Sequence, residues 1–461
     1  MYNKQIKILW IIGIVIHLLA AWYSSGYFHV DEHFQLIEYA NYCIGNIQSS
    51  DLPWEFNANM RPTLQVYVFY FIVKFFGLFG LKNPFILAAF SRMLSALFAL
   101  FTIHLLGKTL FSKESKQYLI FISISLFLWF MPYQHVRFSS ENWSAIAIVL
   151  SIVFLLKDKY AIAGVFSALA FAFRFQAAFF IVGIVLWLIF IKKNNWKYCI
   201  QFVISGLLIF ALSIISDYLF YGKWVISSYI YFYENLIVGK AAEFGTEPFY
   251  YYFIKVIEQG IAPFGLLILF TFGFAAFKFP KHLIIWACVP FIIGHIAIGH
   301  KELRFLFPLV YFVPLFLIWF YNEFQVKIKN TLVLKYILIA LLIINFIALP
   351  VSSLKSSNPR IPLLNWLYAN KKEKIFCLKQ NPYFDHLWYN FYISDTICKQ
   401  WQIIENSDSI AKGNLLIVPN YKLKNEKGFT KVYSQIPSFL ESTNKTHWLE
   451  RSNFWSVYRK D

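Results

Sequence analysis

Twelve apolar runs crowd the first 352 residues, and they limit the fold before any motif is considered. They lie at about 8–26, 63–81, 84–106, 117–133, 142–156, 160–173, 176–191, 198–220, 250–277, 283–299, 304–321 and 333–352. A run of roughly 17–25 apolar residues crosses the hydrocarbon core of a bilayer as a helix. Only 14% of the 461 residues are charged and 59% are hydrophobic, against a charged share of about a quarter in soluble domains. The chain therefore reads as an integral, multi-pass α-helical membrane protein of about 11–12 helices. The first run has no small-residue cleavage site and leads straight into an acidic segment, so it reads as a retained anchor.

The formal net charge of +18 points to nucleic acid only if its placement is ignored. Lysines fall in short inter-helix loops: Lys4 and Lys7, Lys108 to Lys116, Lys157 and Lys159, Lys192 to Lys197, Lys278 and Lys281, Lys327 and Lys329. That is the positive-inside pattern, which marks those loops as cytoplasmic. The segment from Phe28 to Met60 holds Asp31, Glu32, Glu38, Asp51 and Glu55 and no Lys or Arg, which places it outside. Alternation then puts 132–142, the break near Arg174, 221–249, 299–304 and everything after about 353 on the same outer side. One inconsistency stands. Residues 61–106 contain two apolar runs where a single crossing is required, so one of them is re-entrant or tucked against the bundle.

Residues 1–353 read as one helical membrane module, without an internal repeat. Residues 354–461 differ: "KIFCLKQ", "GNLLIVPNY", "FTKVYSQI" and "FWSVYRK" are short β-prone stretches between turn residues. They predict a small extracytoplasmic α/β domain. Cys377 and Cys398 share it and are candidates for a disulfide in an oxidising compartment. "EHFQLIEYANYCIG" reads as an amphipathic helix at the membrane surface, with Phe34, Ile37 and Cys43/Ile44 on its apolar face.

The outer segments hold nearly all the concentrated polar chemistry. "HVDEHFQ" contributes His29, Asp31, Glu32 and His33; "DLPWEFNANMRP" adds Glu55 and Arg61; "QHVRFSSEN" adds Arg137, Glu141 and Asn142. Arg174 and Gln176 stand at a helix end, Asp217 in "SDYLFYGKW", and His300, Lys301, Glu302 and Arg304 in "GHKELRFLFP". Singly, each is an interfacial anchor. Together, on one side of one bundle, they can converge on a cavity, and ionisable groups near the apolar region are usually paired or functional. Carboxylates among Arg, Lys and His suit an anionic, lipid-borne substrate. The cations hold a phosphate, Arg by a planar fork and Lys as a point charge, and a carboxylate takes the proton of an attacking hydroxyl. That chemistry is glycosyl or phosphoryl transfer from a lipid phosphate. No P-loop or Rossmann fingerprint points to a soluble nucleotide donor.

"HVDEHFQ" resembles the HPDE-type signature in the first lumenal loop of the lipid-linked α-mannosyltransferases that build GPI anchors and N-glycan precursors (glycosyltransferase family 22, GT-C superfamily). "GHKELRFLFP" resembles their HKE-x-RF-x-x-P motif, and "DYLFYGKWV" with "EFGTEPFYYYF" is similar to their D-x-x-FYG-x-W stretch and YGTHPWHWYF-like segment. "PWEFNANMRP" and "VRFSSEN" resemble a TWE…RS and a TR-x-x-SN element, and "FCLKQNPYFDHLW" is fainter. The matches run in family order across 29–310. The chain departs at Val30, where Pro is usual, at Glu247, where His is usual, and at Phe249-Tyr250, which replace a Trp-His pair.

The resemblance implies a GT-C-type bundle with its active site on the outer face, a polyprenyl-phosphate sugar donor, most simply mannose, and an inverting single displacement without nucleotide. By motif match Asp31 is the general base and Glu32 shares or shapes its task. His300, Lys301 and Arg304 bind the donor phosphate or organise the loop that does, Arg137 joins the phosphate-binding groups, and His29, Glu55, Arg61, Glu141, Arg174, Asp217 and Glu302 shape the site. Asp31 also suits an N-cap to the helix that follows. The acceptor is a lipid-linked glycan, another glycolipid or a protein; nucleic acid is not a partner. No cofactor is expected. Asp31, Glu32 and His33 offer metal ligands, but their adjacency is poor for one tetrahedral site and no HExxH spacing supports one. Richness in Lys, Ile, Asn and Phe favours a bacterial inner membrane, with a periplasmic site, over the endoplasmic reticulum and a lumenal one. A transporter or flippase is the alternative; matched repeats with broken helices are its signature.

Overall fold

A computed structural model of the chain describes residues 2–193, 196–370, 373–383, 389–393, 401–407, 410–419, 427–436 and 454–461. Among these residues six helices are long and apolar enough to cross a membrane: Asn3–Tyr23, Pro84–Leu110, Phe175–Lys192, Trp196–Tyr221, Leu303–Val326 and Leu332–Leu354. Six shorter apolar helices accompany them: Leu64–Leu78, Lys116–Phe127, Ser140–Leu156, Tyr160–Phe173, Ala262–Lys278 and Leu283–Ala297. The protein is thus a polytopic helical bundle, and each apolar run of the sequence except 250–277 corresponds to one of these helices.

The doubled run at 61–106 resolves into unequal parts. Leu64–Leu78 has 15 residues, about 22 Å of helix, short of a ~30 Å hydrocarbon core. Thr63, at its start, donates from Oγ1 to Asp217 Oδ1 at 2.7 Å, at the end of Trp196–Tyr221. Phe69 meets Phe391 of the C-terminal region, ring centroids 5.1 Å apart, and Phe76 stacks on Phe90 near the start of Pro84–Leu110 at 4.1 Å. Both ends of the helix therefore stay at one end of the bundle, and Leu64–Leu78 is the tucked element. The run 250–277 is also not one helix. It breaks into Tyr251–Gln259 and Ala262–Lys278, with Ile261 at φ +57° between them. Gly260 and Pro263, at the second position of the later helix, mark the break in the sequence.

The lysine-bearing loops gather at the opposite end, where Lys192 pairs with Asp158 at 3.1 Å and Lys278 with Glu323 at 2.8 Å. Between the two ends small residues let helices touch. Gly183 lies so close to Leu283–Ala297 that a Cβ there would fall 2.0 Å from the Trp286 carbonyl oxygen, the close backbone approach that small residues permit in membranes.

After the last span, the helix Arg360–Ala369 leads to a sheet of five described strands: β1 (Ile375–Leu378), β2 (Gln402–Ile404), β3 (Leu415–Val418), β4 (Phe429–Ser434) and β5 (Ser456–Lys460). The order is β2-β1-β3-β5-β4; β1 pairs in parallel with β2 and β3, and β5 runs antiparallel to β3 and β4. Its apolar face does not close on itself. Leu363, Leu367, Ile417 and Val457 share a cluster with Tyr27 and Ala88 of the membrane module. Cys377 is buried on β1; Cys398, and with it the expected disulfide, lies outside the described residues.

Between bundle and sheet lies the segment 30–44, a continuous helix with a π-turn at His33–Glu38. It was expected on the membrane surface and is instead enclosed by protein. His33, Leu36, Glu38, Tyr39, Ala40 and Asn41 are buried. The His33 ring stacks on Tyr392 at 5.5 Å and its Nε2 lies 2.8 Å from Glu38 Oε1, which accepts from the Phe391 backbone N–H at 2.9 Å. A helix with buried acid and imidazole needs partners on both faces, and the C-terminal region supplies one set.

Replacing Gly183 by Ala is expected to lower stability by about 2–3 kcal/mol or more, because backbone, not a flexible side chain, must give way. Gly77→Ala, with no atom within 4 Å of the added methyl, is the control and should leave the melting temperature in detergent nearly unchanged. Equal melting temperatures for both variants would contradict the packing described.

Candidate active site

His29 caps the helix that begins at Val30. Its backbone is extended and its Nδ1 accepts from the Asp31 N–H at 3.2 Å. The cap is therefore His29 and not Asp31, which sits in the first turn with its carboxylate free to reach outward. Asp31 and Glu32 are about 100° apart on that turn, so they serve different partners. Asp31 Oδ2 accepts from Arg304 Nη2 at 2.8 Å and lines a cavity of about 700 Å³. Glu32 does not line this cavity but meets Asp31, Arg61 and Arg174 in a small space beside it; its Oε1 accepts from the Phe28 N–H at 3.3 Å and its Oε2 lies 3.8 Å from Arg137. The two carboxylates expected to share the chemistry thus have different partners.

Arg304 binds three acids at once. Besides Asp31, its Nη1 donates to Glu141 Oε1 at 3.0 Å and its Nε to Glu302 Oε2 at 2.5 Å. Glu141 lies in the first turn of Ser140–Leu156, where Ser139 caps by accepting from the Asn142 N–H; the positive helix end suits the acid. Arg174 also reaches Glu141, at 2.9 Å. Glu302 is shared further, with His29 Nε2 at 3.2 Å and His300 Nε2 at 3.0 Å.

The shifts follow from these contacts. Burial works against ionisation of Asp31, but the Arg304 guanidinium, the His29 hydrogen bond and Arg61 outweigh it, and the carboxyl is held well below the usual carboxylate range. Glu302 is held low in the same way, burial being overcome by His300 and Arg304, and the hydrogen bond to Glu302 raises the His300 imidazole. Glu32 goes the other way. Burial pushes it up to about 7, Glu141 adds to the push, and Arg137 opposes it.

His29, Glu55, Arg61, Arg174 and His300 line the cavity with Asp31, Glu302 and Arg304. Five predicted residues do not: Glu32, which pairs with Arg137; Glu141, which is held by Arg174 and Arg304; and Arg137, Lys301 and Asp217. Arg137 is 1% exposed and its terminal Nη1 and Nη2 groups donate to the Gly26 carbonyl, the Ser24 carbonyl and hydroxyl and the Ser357 hydroxyl. It ties the end of the first span to the end of the last instead of meeting a donor. Lys301 donates to the carbonyls of Glu247 and Ile298 at 2.9 and 2.6 Å, so it fixes the 245–249 loop. Asp217 accepts from the Thr63 N–H and hydroxyl and from Ser227 and braces the outer end of its helix. Asp31, Glu32 and His33, the candidate metal ligands, face Arg304, Arg137 and Glu38 separately.

Of the other cavity residues, Gln176 is marked at its helix end in the sequence, whereas Gln35 and Tyr231 carry no warning there. Gln35 donates to Glu55 Oε1 at 3.5 Å, Gln176 donates to the Tyr231 hydroxyl at 2.6 Å, and Arg61 lies over the Tyr231 ring at 5.4 Å. Tyr231 stands within "YIYFYENL", where one tyrosine among many aromatics gives no signal. A second, apolar groove of about 330 Å³ runs alongside, lined by Phe28, Leu303, Phe307, Tyr252 and Phe272 among others. Phe28 and Leu303 are chain neighbours of His29, Glu302 and Arg304, so the groove begins where the polar cavity ends.

A family model described as the Alg9-like mannosyltransferase family matches residues 8–389. The chain is 26% identical over 307 residues to the mannosyltransferase APTG1 of Arabidopsis thaliana, covering 62% of this chain and 53% of that protein. It is 31% identical over 201 residues to the probable Dol-P-Man:Man(7)GlcNAc(2)-PP-Dol alpha-1,6-mannosyltransferase of Schizosaccharomyces pombe, covering 43% and 36%. With GPI mannosyltransferase 3 of Candida albicans it shares 24% over 335 residues, 71% and 65%. The chain thus spans from about a third to two thirds of the length of these relatives, none of which is named as a transporter. Among solved structures the Archaeoglobus fulgidus oligosaccharyltransferase superposes with a TM-score of 0.52 at 11% identity, over 89% of this chain and 68% of that one; that likeness is one of fold and supports a GT-C-type bundle.

The raised Glu32 carboxyl makes stability depend on pH. Between about 4.5 and about 7 the folded protein keeps a proton on Glu32 that the unfolded chain has released. Stability contributed by that proton therefore falls as pH rises through this window and levels off above it. Glu32→Gln should flatten the fall, its advantage over wild type growing by about 2 kcal/mol between about pH 5 and pH 8. Melting temperatures across that range check this, and parallel curves for the two proteins would count against it.

Proposed function

The chain belongs to the Alg9-like mannosyltransferase family, and on that premise we propose that it transfers a mannosyl group from a polyprenyl-phosphate donor to a hydroxyl of a lipid-linked glycan or related outer-face acceptor. The name of the fission yeast relative states both a dolichyl-phosphate mannose donor and a dolichyl-diphosphate-linked glycan acceptor. The observation that carries the reading is the Asp31 carboxyl group at the wall of a cavity of about 700 Å³, held there by Arg304.

The acceptor oxygen attacks the anomeric carbon as the bond to the donor phosphate breaks, and the electron pair leaves with the phosphate. Asp31 receives the hydroxyl proton. Its low proton affinity is no obstacle, because an alcohol becomes strongly acidic only as its oxygen bonds to carbon; the proton moves late and the base need only be ionised and in reach. Arg304 has its Nε and both terminal nitrogens engaged by carboxylates. Arg61 and Arg174 each have a single carboxylate partner, Glu55 and Glu141, and both line the cavity. They are the groups we assign to the donor phosphate. Fixed cations aimed at developing charge are the main catalytic resource of such a site. The apolar groove beginning at Phe28 and Leu303 suits the prenyl chain. The motif "HKELRF" then acts through geometry: Lys301 and His300 clamp the 245–247 loop, and Arg304 aims the base. The eukaryotic relatives quoted give no support to a bacterial membrane, and the outer, lumenal or periplasmic, face is the reading kept.

Membranes containing the protein, incubated with radiolabelled polyprenyl-phosphate mannose, should yield labelled glycolipid or glycan. Asp31→Asn should lower transfer by roughly 10²–10⁴-fold in a protein that, although less stable, still inserts and folds; near-wild-type turnover would remove Asp31 from the mechanism. Arg61→Ala should raise the KM for the donor more than it lowers kcat, whereas Arg137→Gln should lower stability and leave the donor KM alone. The reverse pattern would return the phosphate to Arg137.

A further inference from the structure

The helix Pro84–Leu110 carries a buried cation that the transfer reaction does not use. Arg92 is 5% exposed and lies eight residues in from the outer end of this span. Among the described residues its one hydrogen bond runs from Nε to the Ala21 carbonyl at 2.6 Å, and no carboxylate closes an ion pair with it. Glu32 shares a small enclosed space with it, but that carboxylate turns to Arg137. Arg92 also lines a separate cavity of about 1010 Å³, which has no lining residue in common with the Asp31 cavity.

A guanidinium keeps its proton at any pH a cell reaches, and an unpaired charge among apolar helices is strongly unfavourable. Among the described residues no carboxylate supplies the counter-charge, which points to one from outside. The walls indicate its source. Trp22 and Tyr23 end the first span, and Val351 and Leu354 end the last; all four line the cavity and are about half exposed. Side chains exposed on spanning helices face lipid, and Trp and Tyr at a helix end mark the headgroup level. The cavity therefore opens sideways into the outer leaflet, with Lys355 at its rim.

We propose that this cavity binds the phosphate headgroup of an anionic lipid, held bidentately by Arg92 and by Lys355 as a second charge, with its chains along Trp22 and Val351. Planar guanidinium matches phosphate oxygens better than any other side chain. Tyr392 and Gln435 close the opposite wall, so the lipid would bridge the membrane bundle and the C-terminal sheet.

The full-length protein in a neutral detergent tests this, with phosphatidylglycerol, phosphatidylcholine and inorganic phosphate as probes. Native mass spectrometry should retain phosphatidylglycerol in preference to phosphatidylcholine, and phosphatidylglycerol should raise the melting temperature where inorganic phosphate does not. Arg92→Gln should weaken retention about tenfold. If that variant does not fold, Lys355→Glu, on an exposed residue, should still weaken it several-fold. Retention of both lipids alike, retention unchanged in every variant that folds, or equal protection by inorganic phosphate would overturn the proposal. Because Arg92 is outside the transfer site, none of these results depends on whether the chain transfers mannose.

Discussion

The grip of Arg304 on Asp31, Glu141 and Glu302 fixes the outer end of this protein. The three acids come from the first outer segment, from the start of Ser140–Leu156 and from the loop before Leu303. Three carboxylates brought this close would repel one another and suffer desolvation. One permanently charged fork with donors in a plane relieves both problems only if all three segments stand in fixed register around it. Removing one member of such a buried set typically costs about 3–5 kcal/mol, since it leaves the others unpaired. The chemistry and the fold thus share one constraint: the geometry that pairs the acids also presents Asp31 to the cavity and holds Glu302 on His29 and His300.

The C-terminal region extends the same constraint outward. The helix 30–44 owes its position to both sides, with Tyr39 against Phe220 of the bundle at 5.1 Å and His33 against Tyr392 at 5.5 Å. Tyr27 and Tyr389 share a hydrogen bond at 3.0 Å. Arg137 completes the frame by joining Ser24 to Ser357 across 333 residues of sequence. A sheet whose apolar face is filled by Tyr27 and Ala88 is held by the membrane module and in turn holds the segment that carries Asp31.

Much of this was legible in the sequence because hydrophobicity and charge act locally. Apolar length alone marked the spans, and lysine placement marked the two ends. The short motifs, read together, named most of the cavity: Asp31, Arg61, Arg174, His300, Glu302 and Arg304. What escaped depended on three-dimensional partners. A span and a tucked helix look alike at 64–78, because tucking is decided by Thr63 on Asp217 and Phe76 on Phe90. The helix 30–44 has the alternation of a surface helix, and only the presence of Tyr392 and Phe391 beside it makes it a buried one. Arg137 and Lys301 have the residue types of phosphate ligands, yet nearby carbonyls and hydroxyls consume their donors. Composition cannot register that competition. Asp31 and Glu32 are adjacent letters, and only the helical turn between them assigns one to the cavity and the other to Arg137.

The depressed Asp31 carboxyl has a consequence for how such a site turns over. In the empty cavity Arg304 makes Asp31 a poor proton acceptor. A donor phosphate brings a negative charge into the same cavity, and a like charge nearby raises a carboxyl's proton affinity. On the proposed mechanism the phosphate gains a second negative charge as the bond to the sugar breaks, and the pull of Arg304, Arg174 and Arg61 is divided further. Asp31 would then become a better base at the moment the acceptor hydroxyl becomes an acid. The three-acid clamp that keeps the base ionised at rest would thereby let the leaving group tune it during transfer.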